Sequence, residues 1–67
     1  MRSLDARGLR CPWPALRAAR ALREGGAVEI LADDPAAARE LAALAAVQGL
    51  EFLVIDTDRY RIGAGGS

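Results

Sequence analysis

Histidine and lysine are missing from this chain of 67 residues, and cysteine, tryptophan, tyrosine, phenylalanine and methionine occur once each. A single cysteine excludes an internal disulfide. With no histidine beside it, only carboxylates remain to complete a metal site, which argues against structural zinc. No metal and no cofactor are expected. Apolar packing alone must then hold the fold. The hydrophobic share of 52% suffices, although much of it is alanine. A chain this short is stable only when its core is well packed. Surplus charge is missing too, since nine arginines meet nine carboxylates. Without a positive excess, direct nucleic-acid binding is not expected, because phosphate contacts supply much of that affinity. The longest uncharged stretch, Leu41 to Leu50, falls well short of the roughly 20 residues that span a bilayer. The first residues do not read as a charged-then-apolar leader, so secretion is not expected. The expectation is one domain over residues 1–67, no membrane association, and a reducing cytoplasm suited to a lone thiol.

What is present gathers at one place. Arg10-Cys11-Pro12-Trp13-Pro14 holds the cysteine, the tryptophan and two of the three prolines. Behind it, a run rich in Ala, Leu and Arg predicts a helix from about Pro12 to Glu24. Proline suits a first helical turn, whose N–H groups lack intrahelical partners anyway. Cys11 then takes the N-cap place, where Ser, Thr, Asp or Asn is usual. A helix N-terminus carries about half a positive charge and offers free N–H donors. Here the nearest donors are Trp13, Ala15 and Leu16. Such a place favours the thiolate, which is the nucleophile. Arg10 and Arg7 add to this where they face the sulfur. From position alone, a buried and inert cysteine stands as the alternative.

The remaining elements follow in order. Met1 to Ala6 is a short first strand, and Gly8 allows the chain to bend before the helix. Leu9 packs back beneath the helix start. On the first helix, Ala15, Leu16, Ala19 and Leu22 form the apolar stripe, and Arg17, Arg20 and Arg23 share one flank. That flank is either a solvated face or a docking surface for an acidic partner. Gly25-Gly26 ends the helix. Ala27 to Ala32 is the clearest strand, with Val28 and Ile30 on one face. Asp33-Asp34-Pro35 opens a second helix reaching about Gln48. Capping explains the two acids better than acid–base work or metal binding. Ala38, Leu41, Ala42, Leu44 and Ala45 are its buried stripe, while Arg39 and Glu40 face out. Glu51 to Asp56 and Arg59 to Ile62 form a hairpin across Thr57-Asp58, followed by a glycine-rich tail from Gly63 to Ser67. The order βαβαββ gives an α/β (α+β) two-layer sandwich, with two helices on one face of a four-stranded mixed sheet. Cys11 then lies past the C-terminal end of the first strand, where ligand chemistry usually sits in open α/β sheets.

Leu4-Asp5-Ala6-Arg7-Gly8-Leu9-Arg10-Cys11-Pro12-Trp13-Pro14, followed later by Ala32-Asp33-Asp34-Pro35, resembles the TusA family of small sulfur carriers, also called SirA-like. The similarity covers essentially the whole chain. It implies strand order 1-2-4-3 and a persulfide carried on Cys11. It further implies a sulfurtransferase that works in a protein relay. The donor would be a cysteine desulfurase or a rhodanese-like protein, and the acceptor a protein with a reactive cysteine. Arg10 and Arg7 would be electrostatic helpers and Pro12 and Pro14 positioners. Trp13 stands where the best-studied branch has an acid, and Ala19 and Arg20 where it has Arg-Lys. Sulfur chemistry therefore carries over and a particular pathway does not. Trp13, Arg17 and Arg20 become candidates for partner docking, unless Trp13 folds back as core. Two rivals remain. One is a non-catalytic regulatory or interaction module, since the fold is also similar to an RNA-binding domain of a translation initiation factor. The other is a redox-sensing thiol passing through sulfenic acid.

Overall fold

The structure is a computed structural model, and it describes residues 2–63. Met1 and the tail beyond Gly63 lie outside those residues. The elements run β1 (Arg2–Asp5), α1 (Trp13–Leu22), β2 (Val28–Leu31), α2 (Ala37–Gln48), β3 (Glu51–Asp56) and β4 (Arg59–Gly63). The strands lie in the order β1-β2-β4-β3. β1 runs parallel to β2, whereas β4 is antiparallel to both β2 and β3. This is the expected two-layer arrangement and strand order.

Alternation along the strands builds one buried face. Val28, Ile30 and Ile62 are inaccessible and Tyr60 nearly so, and the register sets Val28 opposite Ile62 and Ile30 opposite Tyr60. Phe52 stacks on Tyr60 with ring centroids 5.8 Å apart. The helices cover this face and touch one another.

Both helical stripes differ in part from the expected ones. On α1 the buried positions are Pro14, Ala18 and Ala21, while Leu16 is 51% exposed. The stripe is rotated by about one residue, or roughly 100°. Periodicity gives weight to the larger apolar side chain, but the face that approaches the sheet is the one lined by alanine. On α2 the buried positions are Ala37, Leu41 and Ala45, with Ala38 and Leu44 packed at their edge. α2 also starts later than expected. Asp34, Pro35 and Ala36 form a preceding turn in which the Ala37 N–H donates to the Asp34 carbonyl at 2.9 Å. The helix's own N-cap is Ala36 rather than Asp34, and no side chain caps it.

β3 is an outer strand. Leu53, Val54 and Ile55 are all exposed, and its register with β4 shifts between Val54 and Asp56. At the other end of this hairpin, Gly63 is buried beside Ala27. A methyl group built there would lie 2.7 Å from the Ala27 Cβ and 3.2 Å from its Cα. No real Cβ tolerates that distance, and the obstacle includes backbone. Gly63→Ala is therefore expected to destabilise the fold by about 1–3 kcal/mol, the usual range for overpacking. Thermal unfolding of the variant checks this, and an unchanged melting temperature contradicts it.

Candidate functional site

The β1–α1 connection carries Cys11. The Ala6 N–H donates to the Leu31 carbonyl at 2.7 Å, which extends the parallel pairing one residue past β1. Gly8 then turns the chain with φ +84°, a value that favours glycine. Leu9 donates to the Ala6 carbonyl at 3.2 Å and packs against the core. The Cys11–Pro12 peptide is cis. Pro12 occupies the N-cap of α1, so Cys11 lies one residue ahead of it and not on it. Two of the three amides expected to face the sulfur are spent on backbone carbonyls. Trp13 donates to Arg10 at 2.8 Å and Leu16 to Pro12 at 3.0 Å. Cys11 itself is exposed, with its thiol free.

The charges around the sulfur also differ from expectation. Arg7 folds back on Asp5, with Nε to Oδ1 at 3.0 Å and Nη2 to Oδ2 at 2.9 Å. This fork pulls the Asp5 carboxyl down to about 2 and occupies the guanidinium. Arg10 acts on the carboxylate of Asp34, not on the sulfur. Neither arginine is the electrostatic helper that the sequence suggested. The cation that favours the thiolate is Arg39, and two acids outweigh it. Partial loss of water around the sulfur, then the carboxylates of Glu40 and Asp34, push the Cys11 thiol above the ordinary value. Glu40 acts both as a negative charge and as an acceptor for the thiol proton. Arg39 and Glu40 act on the sulfur from the first turn of α2, where Arg39 is exposed as expected and Glu40 is half-buried. These surroundings disfavour the thiolate, where the position before a helix had suggested that it is favoured.

Asp33 and Asp34 do more than the capping expected of them. Asp34 Oδ1 accepts from the Ala36 N–H at 2.7 Å, and its Oδ2 accepts from the Cys11 N–H at 3.0 Å. Asp33 Oδ1 accepts from the Gly8 N–H at 2.9 Å. The β2–α2 connection therefore holds the β1–α1 connection at two points. The sequence carried a signal for this. β1 and β2 are parallel neighbours in register, with Asp5 opposite Leu31, so the segments that follow them emerge side by side. The Ala36 and Cys11 amides, with a smaller attraction from Arg10, hold the Asp34 carboxyl below its ordinary value. A depressed carboxyl favours the folded loop above its unfolded pKa, and that contribution is lost as the pH falls through the folded value.

Trp13 is 56% exposed and does not fold back into the core. Pro14, by contrast, is fully buried. Arg17 and Arg20 are exposed along the flank of α1. With Arg2, Leu4, Trp13 and Glu24 they line a groove of about 570 Å³ between α1 and β1. Arg2 and Glu24 pair at 2.9 Å. Among the described residues, no group of His, Cys, Asp or Glu could hold a metal ion, and no helix is long and apolar enough to cross a membrane.

Three comparisons bear on this arrangement. The family described as "Sulfurtransferase TusA" matches residues 2–63. A protein of Archaeoglobus fulgidus, named as a candidate sulfur carrier, is 43% identical over 56 residues, which is 79% of this chain and 73% of that protein. The crystal structure of a SirA-like protein from Desulfitobacterium hafniense superposes with a TM-score of 0.87 at 32% identity, covering 97% of this chain and 99% of the other. With a family match across nearly its whole length and the same fold in a SirA-like relative, the chain belongs to the TusA family of sulfurtransferases.

Proposed function

We propose that the chain, as one domain over residues 1–67, is a sulfur carrier that holds sulfane sulfur on Cys11 as a persulfide. The observation that carries this reading is the exposure of the chain's one thiol directly ahead of α1 in a member of this family. The donor is a cysteine desulfurase or a rhodanese-like protein bearing its own persulfide. The Cys11 sulfur attacks the donor's outer sulfur, a new S–S bond forms, and the donor's S–S bond breaks. The donor leaves as a thiolate, and the Cys11 proton has to be removed for the attack. The Glu40 carboxylate, which acts on the thiol, is the group assigned to receive it. An acceptor thiolate then attacks the outer sulfur on Cys11 and releases Cys11 as the thiolate. No net oxidation occurs in either step, and the chain has no second cysteine to divert the persulfide into an internal disulfide. A reducing cytoplasm suits this chemistry. Intact mass after incubation with cysteine and a desulfurase, or thiosulfate and a rhodanese, tests it: the protein gains one sulfur atom, which reductant removes.

Partner recognition falls to the groove beside α1. Trp13 and Leu16 offer apolar surface, and Arg17 and Arg20 offer positive charge. The partner it fits presents an apolar pocket rimmed by acids. Trp13→Ala is expected to raise the half-saturating donor concentration about tenfold, on the scale of a hot-spot aromatic. Its alkylation rate at Cys11 should stay that of the natural protein. Equal saturation curves for the two proteins contradict the assignment.

A further inference from the structure

The three hydrogen bonds that join the two connections do not belong to either helix cap alone. One carboxylate, Asp34, spans the Ala36 and Cys11 amides. The other, Asp33, reaches Gly8, three residues ahead of the cysteine. Without them the loop from Arg7 to Pro12 is tied to the rest of the molecule chiefly by the Leu9 packing and the short turn into α1. A charged acceptor on a backbone amide is about twice as strong as a neutral one.

We infer that Asp33 and Asp34 are positioning residues for the sulfur, fixing from the neighbouring connection the direction in which Cys11 leaves the surface. This rests on the sulfur-carrier reading only for its consequence in transfer; the geometry itself does not depend on it. A persulfide exchange needs the three sulfurs nearly in line, so the carrier's sulfur has to be presented at a fixed angle to a docked partner. A small soluble reagent can approach from any side and needs no such alignment. Loosening the loop should therefore slow protein-to-protein transfer while leaving small-molecule attack unimpeded. Losses of alignment below an ångström are enough for about tenfold.

The test uses the whole chain in three forms: natural, Asp34→Asn and Asp33→Ala. Asparagine at 34 keeps one acceptor oxygen and loses the charge, so its NH₂ faces one of the two amides donor against donor; alanine at 33 removes the acceptor for the Gly8 N–H. Hydrogen exchange by NMR on the natural protein comes first. The Gly8 and Cys11 amides are expected to exchange slowly, and fast exchange at both overturns the inference. Alkylation of Cys11 with iodoacetamide is then followed against pH. The charged groups facing the sulfur are Asp34 from the β2–α2 connection and Arg39 and Glu40 from α2. Asp34→Asn removes one negative charge beside the sulfur, so its alkylation midpoint should fall. The Asp33→Ala midpoint should stay in place. Above both midpoints, a merely structural role would leave the ratio of delivery rate to alkylation rate unchanged, whereas a positioning role lowers it. Sulfur delivery to an acceptor protein is expected to slow about tenfold in both variants, with melting showing them folded. Delivery at the natural rate in both overturns the inference while leaving the carrier reading intact. Should Asp34→Asn fail to fold, Asp33→Ala decides by the same delivery rate. If the natural protein takes up no sulfur from any donor, the carrier reading fails, and the exchange of the Gly8 and Cys11 amides alone decides whether the two acids hold the loop.

Discussion

Cys11→Ala is expected to take up no sulfur at all. The natural protein, incubated with a persulfide donor, should gain the mass of one sulfur atom and lose it to reductant. The variant should keep its original mass under the same conditions. The effect is total because the chain contains no other thiol to substitute. Removing the nucleophile of a group-transfer site leaves nothing to form the intermediate. The loss is also readable as chemistry, not as misfolding. Cys11 is exposed and lies outside the packed cluster, so truncating it removes little buried area. The melting temperature should stay close to that of the natural protein. A variant that still gains one sulfur, or a natural protein that gains none from several donors, refutes the carrier reading.

Ile30→Ala is expected to destabilise the fold by about 3 kcal/mol, within the 2–5 kcal/mol range for truncating a buried isoleucine. Ile30 is fully inaccessible and heads the largest buried side chains, with Leu41, Ile62 and Val28. It lies mid-sheet, between Leu4 on β1 and Tyr60 on β4. Both helices rest on the cluster it joins, and the many alanines around it leave few long side chains able to fill the gap. For a chain of this size each kcal/mol shifts the melting temperature by about 4–8 °C, so a fall of roughly 12–24 °C is expected. Thermal unfolding followed by circular dichroism measures it. A fall of only a few degrees would show that the neighbours collapse into the cavity. Domains this small have a small margin, and such a variant should also show a larger unfolded fraction at ambient temperature.

The architecture was legible from the chain because its punctuation is strong. Gly8, Gly25-Gly26, Asp34-Pro35, Gly49 and Thr57-Asp58 separate the elements, and Val28 with Ile30 shows the strand period without ambiguity. Cys11 stands out as the candidate reactive residue because it is the one thiol in the chain. The surroundings of the sulfur were not. Whether Arg7 faces Cys11 or Asp5 depends on a side-chain fork that forms over two residues. Whether Glu40 faces out or toward the sulfur depends on how α2 is turned against α1. Periodicity misplaced the buried stripe of α1 by about one residue, because alanine buries well against a sheet and scores weakly as an apolar residue. Asp34 shows the same limit in another form. A residue before a helix reads as a cap, and only the side-by-side exit of β1 and β2 shows that its second oxygen reaches Cys11.

The register shift in β3 has a bearing on how this protein meets copies of itself. Three consecutive apolar residues on an outer strand would ordinarily invite another strand to add on, and so start sheet growth from molecule to molecule. Ile55 has no counterpart on β4, so the outer row of amides and carbonyls is bent where a newcomer would need it straight. Glu51 and Asp56 close the two ends of the strand, and an antiparallel copy would set these like charges against each other. The same six residues that complete the sheet thus stop it from being extended.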